Sequence, residues 1–185
     1  MFKSHPKGLL AAALSNMGER FGYYIMNAVL ALFLCSKFGL AEGQAGLIYS
    51  IFYAGIYILS LVGGLIADKT QNYKGTIMTG LAIMASGYVV LSIPVLATPQ
   101  NSSFLLTVTC LALFLIAFGN GLFKGNLQAI VGQMYDNFEA EEAKKGEEAL
   151  AIAKDKRDSG FQIFYVFINV GGVIAPFVAP LLREW

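Results

Sequence analysis

Apolar runs long enough to cross a lipid bilayer recur along this chain from its ninth residue almost to its end, and that recurrence excludes most folds at once. A bilayer's hydrocarbon core is about 30 Å thick and takes about 20 helical residues to span. Five spans are predicted, over about 8–36, 44–67, 76–97, 104–135 and 159–182. Only helices or closed barrels satisfy their backbone groups in hydrocarbon, and runs of this length are helical. Hydrophobic residues make up 56% of the 185 and charged residues 14%, against about 25% charged in ordinary soluble domains. Because the runs continue through the chain, this is an all-α integral membrane protein rather than a signal peptide ahead of a soluble domain.

The placement of charge carries more than its sum. Lys3, Lys7, Lys69, Lys74, Lys144, Lys145, Lys154, Lys156 and Arg157 fall in the leader, the second-to-third connection and the fourth-to-fifth connection; Lys37 and Arg183 alone fall on the other side. Short loops rich in Lys and Arg stay cytoplasmic, so the amino terminus is expected in the cytoplasm and the protein in the cell membrane. Of the 13 basic residues this leaves Arg20 and Lys124 inside the membrane, with Glu19 the one acid at depth. Charges there are expensive and by default mark an ion or substrate path. An ion pair kept for packing alone gains little over apolar residues.

Depth and periodicity draw these residues together. Counted from the expected cytoplasmic ends, Arg20 lies roughly 18 Å in, Lys124 roughly 16 Å, and Tyr57 and Asn169 roughly 15 Å, at 1.5 Å per residue. Asn16, Arg20, Tyr24 and Asn27 share one helix face. So do Asn120, Lys124 and Gln128, as do Gln162, Tyr165 and Asn169, and Tyr53 with Tyr57. Four helices with polar stripes at one level predict a polar cavity with two cations and one anion. A buried charge without compensation is costly, so an anionic or zwitterionic ligand is expected, with Arg20 and Lys124 as a carboxylate clamp. Glu19 is a competitor for Arg20. Glycines 63, 64, 119, 121, 125, 171 and 172 suit close helix packing, and Pro176 suits a kink.

Other chemistry finds little support. The single histidine, His5, lies in the polar leader, and Cys35 and Cys110 sit in different apolar runs. No metal-ligand cluster or nucleophile–base set can be assembled, so an enzyme, a metal site, a cofactor or a nucleic-acid partner is not expected. The stretch 138–153 is rich in Glu, Lys and Ala. Its Ala149, Leu150, Ile152 and Ala153 fit either a short amphipathic surface helix or a solvated spacer.

Four motifs resemble the proton-dependent oligopeptide transporter family of the major facilitator superfamily. Glu19-Arg20-Phe21-Gly22-Tyr23-Tyr24 resembles its first-helix signature, and Gly64-Leu65-Ile66-Ala67-Asp68-Lys69 the superfamily's second-to-third loop motif. Gly121-Leu122-Phe123-Lys124-Gly125-Asn126 is similar to the fourth-helix lysine motif, and Phe164 through Gly171 to the fifth-helix signature. The resemblance implies the first five helices of an amino-terminal six-helix bundle, with the carboxy-terminal half absent. It implies import of di- and tripeptides by symport with protons. Tyr24, Lys124, Tyr165 and Asn169 then fall at peptide-contacting positions, with Tyr57 a further pocket tyrosine and Arg20 and Asn27 beside them; Glu19, Arg20 and Lys124 fall in the coupling network. The chain departs from the pattern in three places. Asn16 replaces the signature's first glutamate, Asn27 replaces a pocket arginine of many members, and 138–153 is an insertion. A carrier for another small anion or drug, and a membrane receptor that binds without transport, are the competing expectations.

Overall fold

A computed structural model describes residues 4–183, apart from the Arg183 side chain. Lys3 and Arg183 of the charge pattern, and the final two residues, lie outside what is described. Five helices follow one another: α1 (Leu9–Phe38), α2 (Glu42–Thr70), α3 (Tyr73–Ser92), α4 (Ser102–Ala143) and α5 (Glu147–Arg183). All five are long and apolar enough to cross a membrane.

Local chemistry sets the breaks. Asn72 caps α3, its side-chain oxygen accepting the Gly75 amide at 2.9 Å. That helix was expected to run to 97 but stops at Ser92. Pro94 explains this: it has no amide to donate and biases the residue before it away from helix. Its neighbour Ile93 is extended, at φ −66° and ψ 118°.

The fourth-to-fifth connection differs from both expectations. Residues 138–153 form neither a separate surface helix nor a spacer; they are the last turns of α4 and the first turns of α5. Glu, Lys and Ala are good helix formers, and the chain turns only at 144–146, where Gly146 takes a φ of 128° that side chains disfavour. At 42 and 37 residues, α4 and α5 run roughly 63 and 55 Å, far more than the bilayer core. Arg157 braces the excess, donating to Asp136 at 2.6 Å and Glu139 at 3.3 Å. Exposed pairs of this kind contribute little each, so they align the hairpin rather than hold it.

The chain gathers into two compact units, Met1–Ala28 with Leu127–Trp185, and Val29–Asn126. In the first, a side chain at Gly171 would run into the Met17 carbonyl and one at Gly172 would lie 3.1 Å from the Tyr24 ring, so the two glycines let α5 seat closely against α1. Buried Tyr135 accepts or donates a 2.7 Å bond with His5 Nδ1, which ties the leader to α4. Burial there, with Lys156 nearby, holds the His5 imidazole below its ordinary pKa. The neutral ring is the folded form, so this tie loses stability as pH falls through the ordinary histidine range.

In the second unit α4 lies against α2 and α3 at near backbone contact. A side chain at Gly63 would meet Gly121 and sit 2.9 Å from the Leu122 Cα. Asn126, fully buried, adds a hydrogen bond from its amide to the Gly63 carbonyl at 3.0 Å. Gly63→Val therefore forces the two backbones apart, at about 1–3 kcal/mol for overpacking, and breaks the Asn126 bond. A clear drop in the melting temperature of the detergent-solubilised protein is expected. An unchanged value would mean α2 and α4 do not approach this closely.

Candidate functional site

The residues singled out by charge and depth fall into both units, and each unit builds its own cluster. In the first, α1 turns Asn16, Glu19 and Arg20 inward, and all three are buried. Arg20 grips Glu19 with two parallel bonds, Nη2 to Oε1 at 2.7 Å and Nε to Oε2. Its guanidinium also lies 4.7 Å from the centre of the Tyr23 ring. A bidentate pair with an aromatic backing is a fixed geometry, satisfied charge for charge. Glu19 thus already engages the two Arg20 nitrogens that face it. This narrows the expected carboxylate clamp, because a ligand would have to share that guanidinium with Glu19.

One turn further along α1, Tyr24 is 40% exposed and stands edge-on to Tyr23 at 5.4 Å. Asn27 is half-buried, and its side-chain oxygen is the one buried side-chain polar atom without a hydrogen-bond partner among the described residues. A buried orphan acceptor calls for an explanation.

On α5, buried Phe164 anchors the helix while Tyr165 and Asn169, one turn apart, stay exposed. Gln128 of α4 reaches the Tyr165 hydroxyl at 3.5 Å. These polar side chains thus lie on an accessible face of their unit.

The second unit brings together Tyr57 of α2 and Lys124 of α4. The ammonium lies 4.5 Å from the Tyr57 ring centre, close enough for cation–π attraction. Lys124 is half-buried and Tyr57 half-exposed, so the pair is reachable from one side. Close contact of α4 with α2 at Gly121, whose Cβ position is 2.6 Å from the Leu59 backbone, sets this spacing.

Asn120 shares a helical face with Lys124 by spacing, yet it is wholly buried and its amide points to the Met84 sulfur at 4.0 Å. It binds α4 to α3 instead of lining an accessible surface. Three features escaped the sequence: Tyr23 as the ring behind Arg20, Asn126 as the tie between α2 and α4, and the orphan oxygen of Asn27. The glycines facing these positions were the available signal for the second.

Comparison with known proteins shows the family and the fold. The sequence model of the POT family matches residues 74–185. A di-/tripeptide transporter of Lactococcus lactis subsp. cremoris is 34% identical over 190 residues, covering 99% of this chain and 33% of its own length. The peptide transporter YePEPT of Yersinia enterocolitica is 34% identical over 189 residues, covering 100% of this chain and 32% of its own length. The chain therefore spans about a third of the length of these relatives. Among solved structures, tetrameric PepTSo2 matches with a TM-score of 0.72 at 30% identity, over 91% of this chain and 31% of that one. A bacterial homologue of the human drug peptide transporters PepT1 and PepT2 matches at 0.71, with the same identity and coverage. With five membrane-length helices that superpose on the amino-terminal part of the major facilitator fold, this chain belongs to the proton-dependent oligopeptide transporter (POT) family.

Proposed function

We propose that this chain is the amino-terminal part of a secondary transporter that imports di- and tripeptides across the cell membrane, with its amino terminus in the cytoplasm. The carboxy-terminal half of the same protein and an inward proton gradient complete it, and no cofactor takes part. The observation that carries the reading is the Lys124 ammonium, half-buried in a membrane-length helix against the Tyr57 ring at 4.5 Å. A lysine is costly at that depth, and the carboxylate of a peptide offsets the cost. Arg20, Tyr24, Asn27, Tyr165 and Asn169 of the first unit are the further peptide contacts. Asn27 places a neutral side chain where many family members have an arginine. The relatives, a di-/tripeptide transporter and a peptide transporter, support the peptide cargo.

Proton coupling falls to Glu19, Arg20 and Lys124, with Asn16 as the altered position. Asparagine hydrogen-bonds but does not titrate, so the buried Asn16 cannot take up a proton where the family signature has a glutamate. The coupling is accordingly weaker, and the substrate carboxylate and Lys124 protonation are linked.

The test is uptake of labelled dialanine by proteoliposomes holding the full-length transporter, with and without an inward proton gradient. Competition by unlabelled di- and tripeptides, but not by nitrate or free alanine, is expected. Competition by small anions alone would reassign the cargo, and binding without uptake would make the protein a receptor. Asn16→Glu should steepen the gradient dependence. A wild type already strongly gradient-dependent, and unmoved by that change, would remove Asn16 from the coupling.

A further inference from the structure

The Tyr57 ring under Lys124 is the end of a ladder. Tyr53 and Tyr49 continue it at steps of four residues, so the three rings share one face of α2. The Tyr53 and Tyr57 rings are 5.2 Å apart at 59°, with their hydroxyls 3.1 Å from one another. Tyr49 and Tyr53 lie 6.3 Å apart and nearly parallel, at 12°. Offset parallel and tilted arrangements at these separations are the attractive ones.

The exposed aliphatics Leu47, Ile51, Ile58 and Leu65 lie roughly 120° or more round the helix from Tyr53 at 100° per residue, while exposed Leu61, four residues past Tyr57, continues the tyrosine face. That face also carries Gly46, Ser60 and Gly64. Tyr53 lies eleven residues past Glu42, roughly 16 Å along the 29-residue helix, too deep for an interfacial anchor. The Tyr53 hydroxyl is bonded to that of Tyr57, and Tyr53 is 41% exposed. An accessible aromatic face at mid-membrane, continuous with the ring beneath Lys124, is suited to a ligand group.

We infer that Tyr53 and Tyr49 form a side-chain subsite that favours peptides bearing an aromatic residue, extending from Tyr57 toward the Glu42 end of α2. This rests on the peptide-carrier reading above. With the peptide carboxylate at Lys124, the ladder offers the neighbouring side chain a flat apolar surface within the same unit. Aromatic rings stack there. A cationic side chain could also sit on a tyrosine face, but the Lys124 ammonium at the head of the ladder repels it.

The test measures how strongly alanyl-tyrosine, alanyl-lysine and dialanine inhibit uptake of labelled dialanine by the full-length transporter in proteoliposomes. The readout is the preference for alanyl-tyrosine over dialanine. Tyr53→Leu should lower that ratio roughly threefold to tenfold, the scale of one lost aromatic pair. Tyr53→Phe, which keeps the ring, should retain it. Tyr49→Leu should move the ratio the same way, and it carries the test if Tyr53→Leu fails to reach the membrane. An unchanged ratio in the inserted leucine variant, or an equal fall for alanyl-lysine, would overturn the subsite. A wild type that takes up no dipeptide at all has a different signature and would overturn the peptide-carrier reading itself.

Discussion

Lys124→Ala should abolish peptide uptake while the protein still inserts and folds. Losing one partner of a desolvated charge pair costs about 2–5 kcal/mol, which is roughly thirtyfold or more in affinity. The Lys124 ammonium faces the Tyr57 ring from a half-buried position, so its loss removes that cation–π contact and, on the proposed reading, the partner of the peptide carboxylate. Insertion works in the opposite direction, because a lysine at the centre of a transmembrane helix costs about 2.5–3.5 kcal/mol that alanine does not. Reduced uptake therefore cannot be charged to failed insertion. Dialanine uptake and binding, read beside the melting temperature in detergent, separate the two. Lys124→Arg keeps the charge but spreads it over a planar fork, and should restore binding better than transport. Uptake near wild type for the alanine variant would take Lys124 out of the site.

The second large effect is on stability, at Glu19. Both members of the Glu19–Arg20 pair are buried, and the guanidinium is held by two bonds to one carboxylate. Removing one partner of a buried pair costs about 3–5 kcal/mol, whereas replacing both by apolar residues of similar volume is often neutral. Glu19→Ala should therefore lower the melting temperature sharply or block folding. Glu19→Leu combined with Arg20→Met should melt close to wild type. If the pair serves coupling, that double variant folds yet transports without responding to a proton gradient. A single variant that melts like wild type would show that the carboxylate is not what steadies Arg20. A double variant with normal gradient dependence would leave the pair a packing device.

The comparison between Glu19 and Lys124 shows what one dimension of information can resolve. Spans, charge placement and the outliers at depth were legible in the residue order because the bilayer acts along a single axis. Anything charged in an apolar run of about 20 residues is conspicuous wherever the helices later pack. The family likeness was legible for the same reason, since its motifs are short and each lies on one helix. The ion pair of Glu19 with Arg20 needed only sequence neighbours.

What spacing could not settle is the rotation of each helix and which backbone it meets. Asn120 and Lys124 stand one turn apart, yet the first points wholly into the α3 contact at Met84 and the second reaches the Tyr57 ring. A shift of about 40° per four residues decides between them, and the contacts that set it, Gly63 with Gly121 and Gly119 with Met84, join residues far apart in the chain. The start of α5 at Glu147 was hidden for a different reason. Glu, Lys and Ala are compatible with a helix, a surface segment or a spacer, and only the bracing of Arg157 by Asp136 and Glu139 shows which of them forms. The sequence by itself determined that the chain spans the membrane five times with charge at mid-depth. The tertiary structure decided which polar side chains become packing and which stay exposed, because that choice depends on long-range backbone approach that no local pattern encodes.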